Sequence, residues 1–202
     1  VEVSLEVFLA LAGFSFVTSI TPGPNNLMLL TSGVNFGFRR SIPHMLGIGI
    51  GFMFLLLCVG FGLGQVLTAY PPLHLALKIL CVAYLLYLAW KIANSGPIEE
   101  QEGKARPMTF LEAAAFQWVN PKAWFMAVTA MSVYTNQQNY FLTVIFIAVV
   151  FGLINIPTVS VWAGLGSALR GLLSNPKVLR AFNVTMALLL VASLWPMLFT
   201  GH

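Results

Sequence analysis

Residues Ile20–Leu30 read ITPGPNNLMLL, and they interrupt an apolar run that begins near Leu5. Proline removes a backbone donor and clashes with the preceding turn. Asparagine amides are costly in hydrocarbon unless they find partners. A regular membrane helix would exclude these residues from its centre. Read as helix ends, they make sense. Thr21 is a candidate N-cap, and Pro22 or Pro24 suits the first helical position. One half-helix then ends and another begins near the middle of the bilayer. The new N-terminus carries unpaired N–H groups and a positive dipole end, which attract an anion such as a carboxylate. Asn25 and Asn26 add amide donors and acceptors, and Gly23 admits a ligand close to the backbone.

The rest of the chain fits a membrane setting. Of 202 residues, 58% are hydrophobic and 8% charged, with a mean hydropathy of +0.87. Soluble domains carry roughly 25% charged residues. The composition implies an all-α polytopic membrane protein, and no polar stretch is long enough for a soluble domain. The first apolar segment lacks a basic flank and a cleavage site, so it reads as a retained span and not as a secretory leader. The net charge of +4 does not point to nucleic acid. The basic residues fall in short loops, where lipid headgroups and topology account for them. Cys58 and Cys81 stand singly in apolar runs and read as packing residues.

A helical span needs about 20 largely apolar residues. Six such stretches are readable: Leu5 to Phe36, Ile42 to Tyr70, Leu73 to Asn94, Thr109 to Tyr134, Tyr140 to Leu169 and Phe182 to Phe199. Pro71 and Pro72 read as a tight turn. Arg39 and Arg40, then Lys91, Lys104 and Arg106, then Arg170, Lys177 and Arg180 cluster around the loops after spans one, three and five. The positive-inside rule places those loops in the cytoplasm and both termini outside. Residues 1–94 and 109–202 then form two three-helix units joined by a cytoplasmic loop, 95–108. An odd number of spans per unit makes the second inverted relative to the first.

Each unit opens on an interrupted span: TPGPNN in the first, VNPKAW (Val119–Trp124) in the second. Paired interruptions at corresponding places point to a transporter binding site. Asn120 is a good N-cap, Pro121 a good first residue, and Lys122 adds an intramembrane charge that suggests function. Gln117, one turn earlier, is placed to line the same cavity. Glu112 reads as a solvated residue at the cytoplasmic mouth and His44 as interfacial; both are candidates for ion coupling. Asn155 and Pro157 are candidates for a supporting amide and a hinge. The Gly47/Gly51 and Gly60/Gly64 spacings read as close-packing faces, which permit a homodimer without requiring one. The chain has no aspartate, no HxxxH and no Ser/His/acid set in its spans. That argues against an intramembrane hydrolase and a metal transporter, and no metal site or cofactor is expected.

TPGPNN, NFGFRRS (Asn35–Ser41), GIGIGF (Gly47–Phe52), YLLYLAWKIA (Tyr84–Ala93) and FQWVNPKAW (Phe116–Trp124) resemble the LysE/RhtB family of bacterial amino-acid exporters. Within it the chain is similar to the branch that includes the cysteine and O-acetylserine exporter. The resemblance implies a proton-driven exporter of amino acids in the inner membrane, built as two inverted three-helix repeats. It implies roles for Pro22, Gly23, Pro24, Asn25, Asn26, Asn120, Pro121 and Lys122. With no intramembrane aspartate to balance a cationic side chain, a small neutral amino acid is the expected substrate.

Overall fold

A computed structural model describes residues 4–95 and 106–195. Among them the chain is all helix. Helix α1 (Leu5–Ile20) is capped by the Ser4 hydroxyl, which accepts from the Val7 amide, and it stops at Thr21 ahead of Pro22. Helix α2 (Pro24–Phe36) starts on a proline and ends at Gly37, whose φ of 81° only glycine adopts without strain. Helix α3 (Phe38–Cys58) runs through a π-helical turn, Val59–Leu63, into α4 (Gly64–Ala69). Gly62 in that turn has a φ of 122°, so the helix bends there.

Pro71 and Pro72 do not form a turn. They open α5 (Pro71–Ala93), where the missing N–H of a first-turn proline costs nothing. Helix α6 (Phe110–Phe116) begins with a capping box between Thr109 and Glu112. A 3-10 turn, Gln117–Val119, leads to α7 (Pro121–Tyr134). Helix α8 (Tyr140–Leu169) matches the fifth apolar stretch residue for residue. Helix α9 (Pro176–Ala192) starts six residues before the sequence reading placed it, because Asn175 caps it and Pro176 begins it. The C-terminal part of that sixth stretch, and most of the 95–108 loop, lie outside the described residues.

Among the described residues, three helices are long and apolar enough to cross a membrane: Phe38–Ala69, Pro71–Ala93 and Gln137–Leu169. The α1–α2 pair, bent by 53° at its break, passes the same test when taken together and makes a fourth. Outward faces are apolar: Leu153 is 70% exposed and Phe141 69%. Such surface suits lipid and not water.

Helix α8 packs against α1, α2 and α3, and α5 packs on α9. One core cluster joins α1, α3, α7 and α8 around Leu11, Phe52, Ala127 and Phe151. A second joins α2, α5, α9 and Phe116 around Leu27, Leu85 and Leu190. The interrupted segments lie between them. Glycines set the closest crossings. A Cβ on Gly33 would strike the Ala163 carbonyl oxygen, and one on Gly166 would strike that of Leu30, so α2 and α8 meet backbone to backbone. Gly47 and Gly51 play the same part against α6, at Phe110 and Ala114. That glycine face is filled from within the chain.

Gly166→Ala is therefore expected to destabilise the protein by about 1–3 kcal/mol, since backbone cannot yield to the added methyl. Gly13, in α1, has nothing within 4 Å of an added Cβ, and Gly13→Ala is expected to be neutral or to stabilise by up to about 1 kcal/mol. Thermal unfolding of both variants in detergent measures the contrast. Equal melting temperatures would refute the crossing as a tight contact.

Candidate functional site

The break between α1 and α2 strands the last carbonyls of α1, which have no helical partner. Three side chains supply donors. The Asn26 amide donates to Ser19 O and Thr21 O, at 2.8 Å each. The Trp162 indole donates to Ile20 O at 3.2 Å. The Lys122 ammonium donates to Thr21 O at 2.6 Å and to Thr21 Oγ1 at 2.9 Å. Behind them, Asn155 Nδ2 donates to Ser19 Oγ at 2.9 Å.

Thr21 is thus the C-cap of α1 and not the N-cap of the second half-helix. Its hydroxyl donates backwards, to Thr18 O at 3.0 Å. The N-cap of α2 is Gly23, which has no side chain to cap with, and Pro24 is the first helical residue. The first-turn N–H groups of α2 consequently have no side-chain cap. The second interruption is built as its sequence suggests: Asn120 Oδ1 accepts from the Lys122 amide at 3.1 Å, and Pro121 follows the cap. One half-helix start is closed by its own side chain and the other is open.

The two interruptions meet. Asn25 Nδ2 donates to Gln117 Oε1 at 2.8 Å, and Gln117 Nε2 returns a bond to Asn25 Oδ1 at 3.1 Å. Gln117 also donates to Ala113 O at 2.9 Å and is fully buried. The Lys122 side chain lies across Gly23, where a Cβ would sit 2.6 Å from its Cδ. Between these groups is a cavity of about 20 Å³, lined by Ser19, Gly23, Asn25, Asn26, Asn120, Lys122 and Asn155 among others. Pro121 lines another cavity, and Thr21, Pro22, Pro24 and Gln117 do not line this one. A volume of this size has room for about one water.

Two larger cavities lie elsewhere among the described residues. One of about 440 Å³ is lined by Asn35, His44, Tyr84, Lys91, Arg106 and Glu112 among others. One of about 980 Å³ is lined by Gln65, Thr68, Lys78, Thr129, Ser132 and Pro121 among others. Glu112 lines the roughly 440 Å³ cavity. It is half-exposed, makes a two-pronged pair with Arg106 at 2.7 Å per contact, and accepts from Thr109 N at 2.8 Å. This carboxylate raises the Arg106 guanidinium above its ordinary value. His44 is buried: it is 1% exposed, and neither ring nitrogen has a hydrogen-bond partner. It faces inward because its turn of α3 turns Ser41, His44, Met45 and Ile48 to the core.

Ser19 and Trp162 escape sequence reasoning, although both hold the break. Serine and tryptophan have ordinary uses in membrane helices, and their partners here lie far away in sequence. Asn155, an expected supporting amide, lines the cavity itself, with Oδ1 buried and unpartnered.

The LysE type translocator family profile matches residues 16–193, a range that takes in both interruptions. The chain belongs to this family. It is similar to the cysteine/O-acetylserine efflux protein of Escherichia coli strain K12, with 34% identity over 180 residues, covering 88% of this chain and 90% of the relative. The same figures hold for the protein of that description from Shigella sonnei. No solved structure matches the chain. Family membership and the apolar helices together make this a multi-pass membrane protein of a translocator family.

The Asn25–Gln117 pair gives a direct test. Either single leucine substitution leaves a buried amide without its partner and is expected to cost about 1–3 kcal/mol. The double variant is expected to cost less than the two singles summed, by about 0.5–3 kcal/mol. A thermal-unfolding mutant cycle measures this coupling; strict additivity would refute the pair.

Proposed function

We propose that this protein is a secondary exporter of the bacterial inner membrane, moving small neutral amino acids or their derivatives outward by alternating access, driven by the proton gradient. One observation carries the reading: the two interrupted segments, one from each half of the chain, share a single polar cavity. The relatives' described cargoes, cysteine and O-acetylserine, support the substrate class. Both are α-amino acids with an uncharged side chain.

In this reading the chain crosses the membrane six times as two inverted three-helix units. The loops after spans one, three and five face the cytoplasm, and both termini face the periplasm. The roughly 440 Å³ cavity, at the arginine-bearing end, is then the cytoplasmic vestibule, and the roughly 980 Å³ cavity opens outward. Substrate carboxylate sits at the open N-terminus of α2, with the first-turn N–H groups beside Asn25 and Asn26 as donors. Asn120 and Pro121 hold the start of α7 against it, Pro22, Gly23 and Pro24 shape the break, and Lys122 supplies the positive charge of the pocket. Gln117 fixes Asn25.

A cavity of about 20 Å³ does not hold an amino acid. The described conformation is therefore contracted, and loading requires the α6–α7 wall to part from α1–α2. For the proton, His44 is better placed than Glu112. It is buried beside the vestibule with both nitrogens free, whereas Glu112 is committed to Arg106 and Thr109.

Counterflow in proteoliposomes tests this. Vesicles loaded with unlabelled amino acids are expected to take up labelled cysteine or serine and to ignore labelled lysine. Asn25→Ala and Pro24→Ala are expected to lower that uptake at least about a hundredfold, the effect of a lost positioning group, in protein that remains folded. Wild-type uptake in both variants would sink the site assignment.

A further inference from the structure

The geometry points to Thr21 as the seat of the substrate ammonium, occupied in the empty carrier by the Lys122 side chain as an internal stand-in for cargo. This rests on the exporter reading above. Lys122 Nζ contacts both Thr21 oxygens, at 2.6 and 2.9 Å. Those oxygens stand at the C-terminal end of α1, where the helix dipole favours a cation. The open N-terminus of α2 lies just across the break and favours an anion. Acceptors on one side and donors on the other are the layout an α-amino acid needs.

Asn155 adds an independent sign. It is 4% exposed and lines the cavity that Lys122 lines, yet its Oδ1 has no hydrogen-bond partner. An unmatched buried acceptor in the wall of the cavity that Lys122 lines is what an ammonium donor would satisfy. Gly23 completes the arrangement, because its missing side chain is what lets the Lys122 methylenes lie across the break.

The stand-in has a mechanical use. An exporter must return empty after each delivery. Closing its site in hydrocarbon without that ammonium would leave Thr21 Oγ1 without a donor and Thr21 O with the Asn26 amide alone. The lysine ammonium satisfies them on the empty leg, and the cargo ammonium satisfies them on the loaded leg. Lys122 reaches from α7 to α1, so the same contact draws the two walls together when no cargo is present.

Two rates separate this role from a fixed structural staple. In proteoliposomes carrying the full chain, exchange is followed with labelled cysteine on one side and saturating unlabelled cysteine on the other. Net efflux is followed into cysteine-free medium. Exchange never uses the empty leg; net efflux always does. In Lys122→Gln, exchange is expected to stay measurable while the ratio of net efflux to exchange falls about tenfold or more, the effect of losing hydrogen bonds from a charged donor on the empty leg. Gly23→Ala places a methyl against the Lys122 methylenes and keeps the charge, and it is expected to give the same split. It decides the matter if Lys122→Gln does not fold. An unchanged ratio, or equal loss of both rates in folded protein, overturns the assignment. A wild type that moves no amino acid of the counterflow panel removes the exporter reading itself, a result distinct from an unsplit variant.

Discussion

A peptide group in hydrocarbon has no water to turn to, so a helix that breaks inside a membrane must find partners for every carbonyl and N–H it releases. The break at residues 21–23 is where this chain meets that demand. The released carbonyls of α1 are met from α2 by Asn26, from α8 by Trp162 and from α7 by Lys122. Helices distant in sequence are thereby bound to one short stretch of backbone. The break needs that arrangement around it, and the donors depend on the break to be satisfied themselves.

The sequence makes helix ends legible because they are local. Asn120–Pro121 and the limits of α8 follow from cap and proline chemistry within a few residues. Thr21 was harder to place. With two prolines and a glycine after it, the residue fits either end of a half-helix. Its N–H donates to Val17 O, which makes it the end of α1, and no local pattern encodes its further contact with Lys122. The start of α9 shows the opposite case. Asn175–Pro176–Lys177 repeats the motif of Asn120–Pro121–Lys122, but Lys177 and Arg180 make the segment look like a loop.

His44 illustrates a different limit. Its sequence distance from Arg39 and Arg40 suggests a depth near the interface, and depth says nothing about which way a side chain turns. Rotation about the α3 axis decided its burial. Ser19 and Trp162 were invisible for a related reason: an ordinary residue becomes functional when a stranded carbonyl lies opposite, and only the fold supplies that carbonyl.

The backbone contacts at Gly33 and Gly166 carry one more consequence. Two helices touching through flexible side chains can slide over one another, but two touching through peptide groups mesh like gear teeth and have no slack. Helices α2 and α8 therefore behave as a single stiff post. The open N-terminus at Gly23 and the Asn155 amide ride on that post, so part of the cavity wall keeps its shape as its surroundings shift. Widening of the pocket falls to the facing side, where α6 and α7 join through a single turn of weaker 3-10 helix at Gln117–Val119. In the proposed transport cycle, the glycines hold one jaw of the vice still and the turn at Gln117–Val119 is where the other would travel.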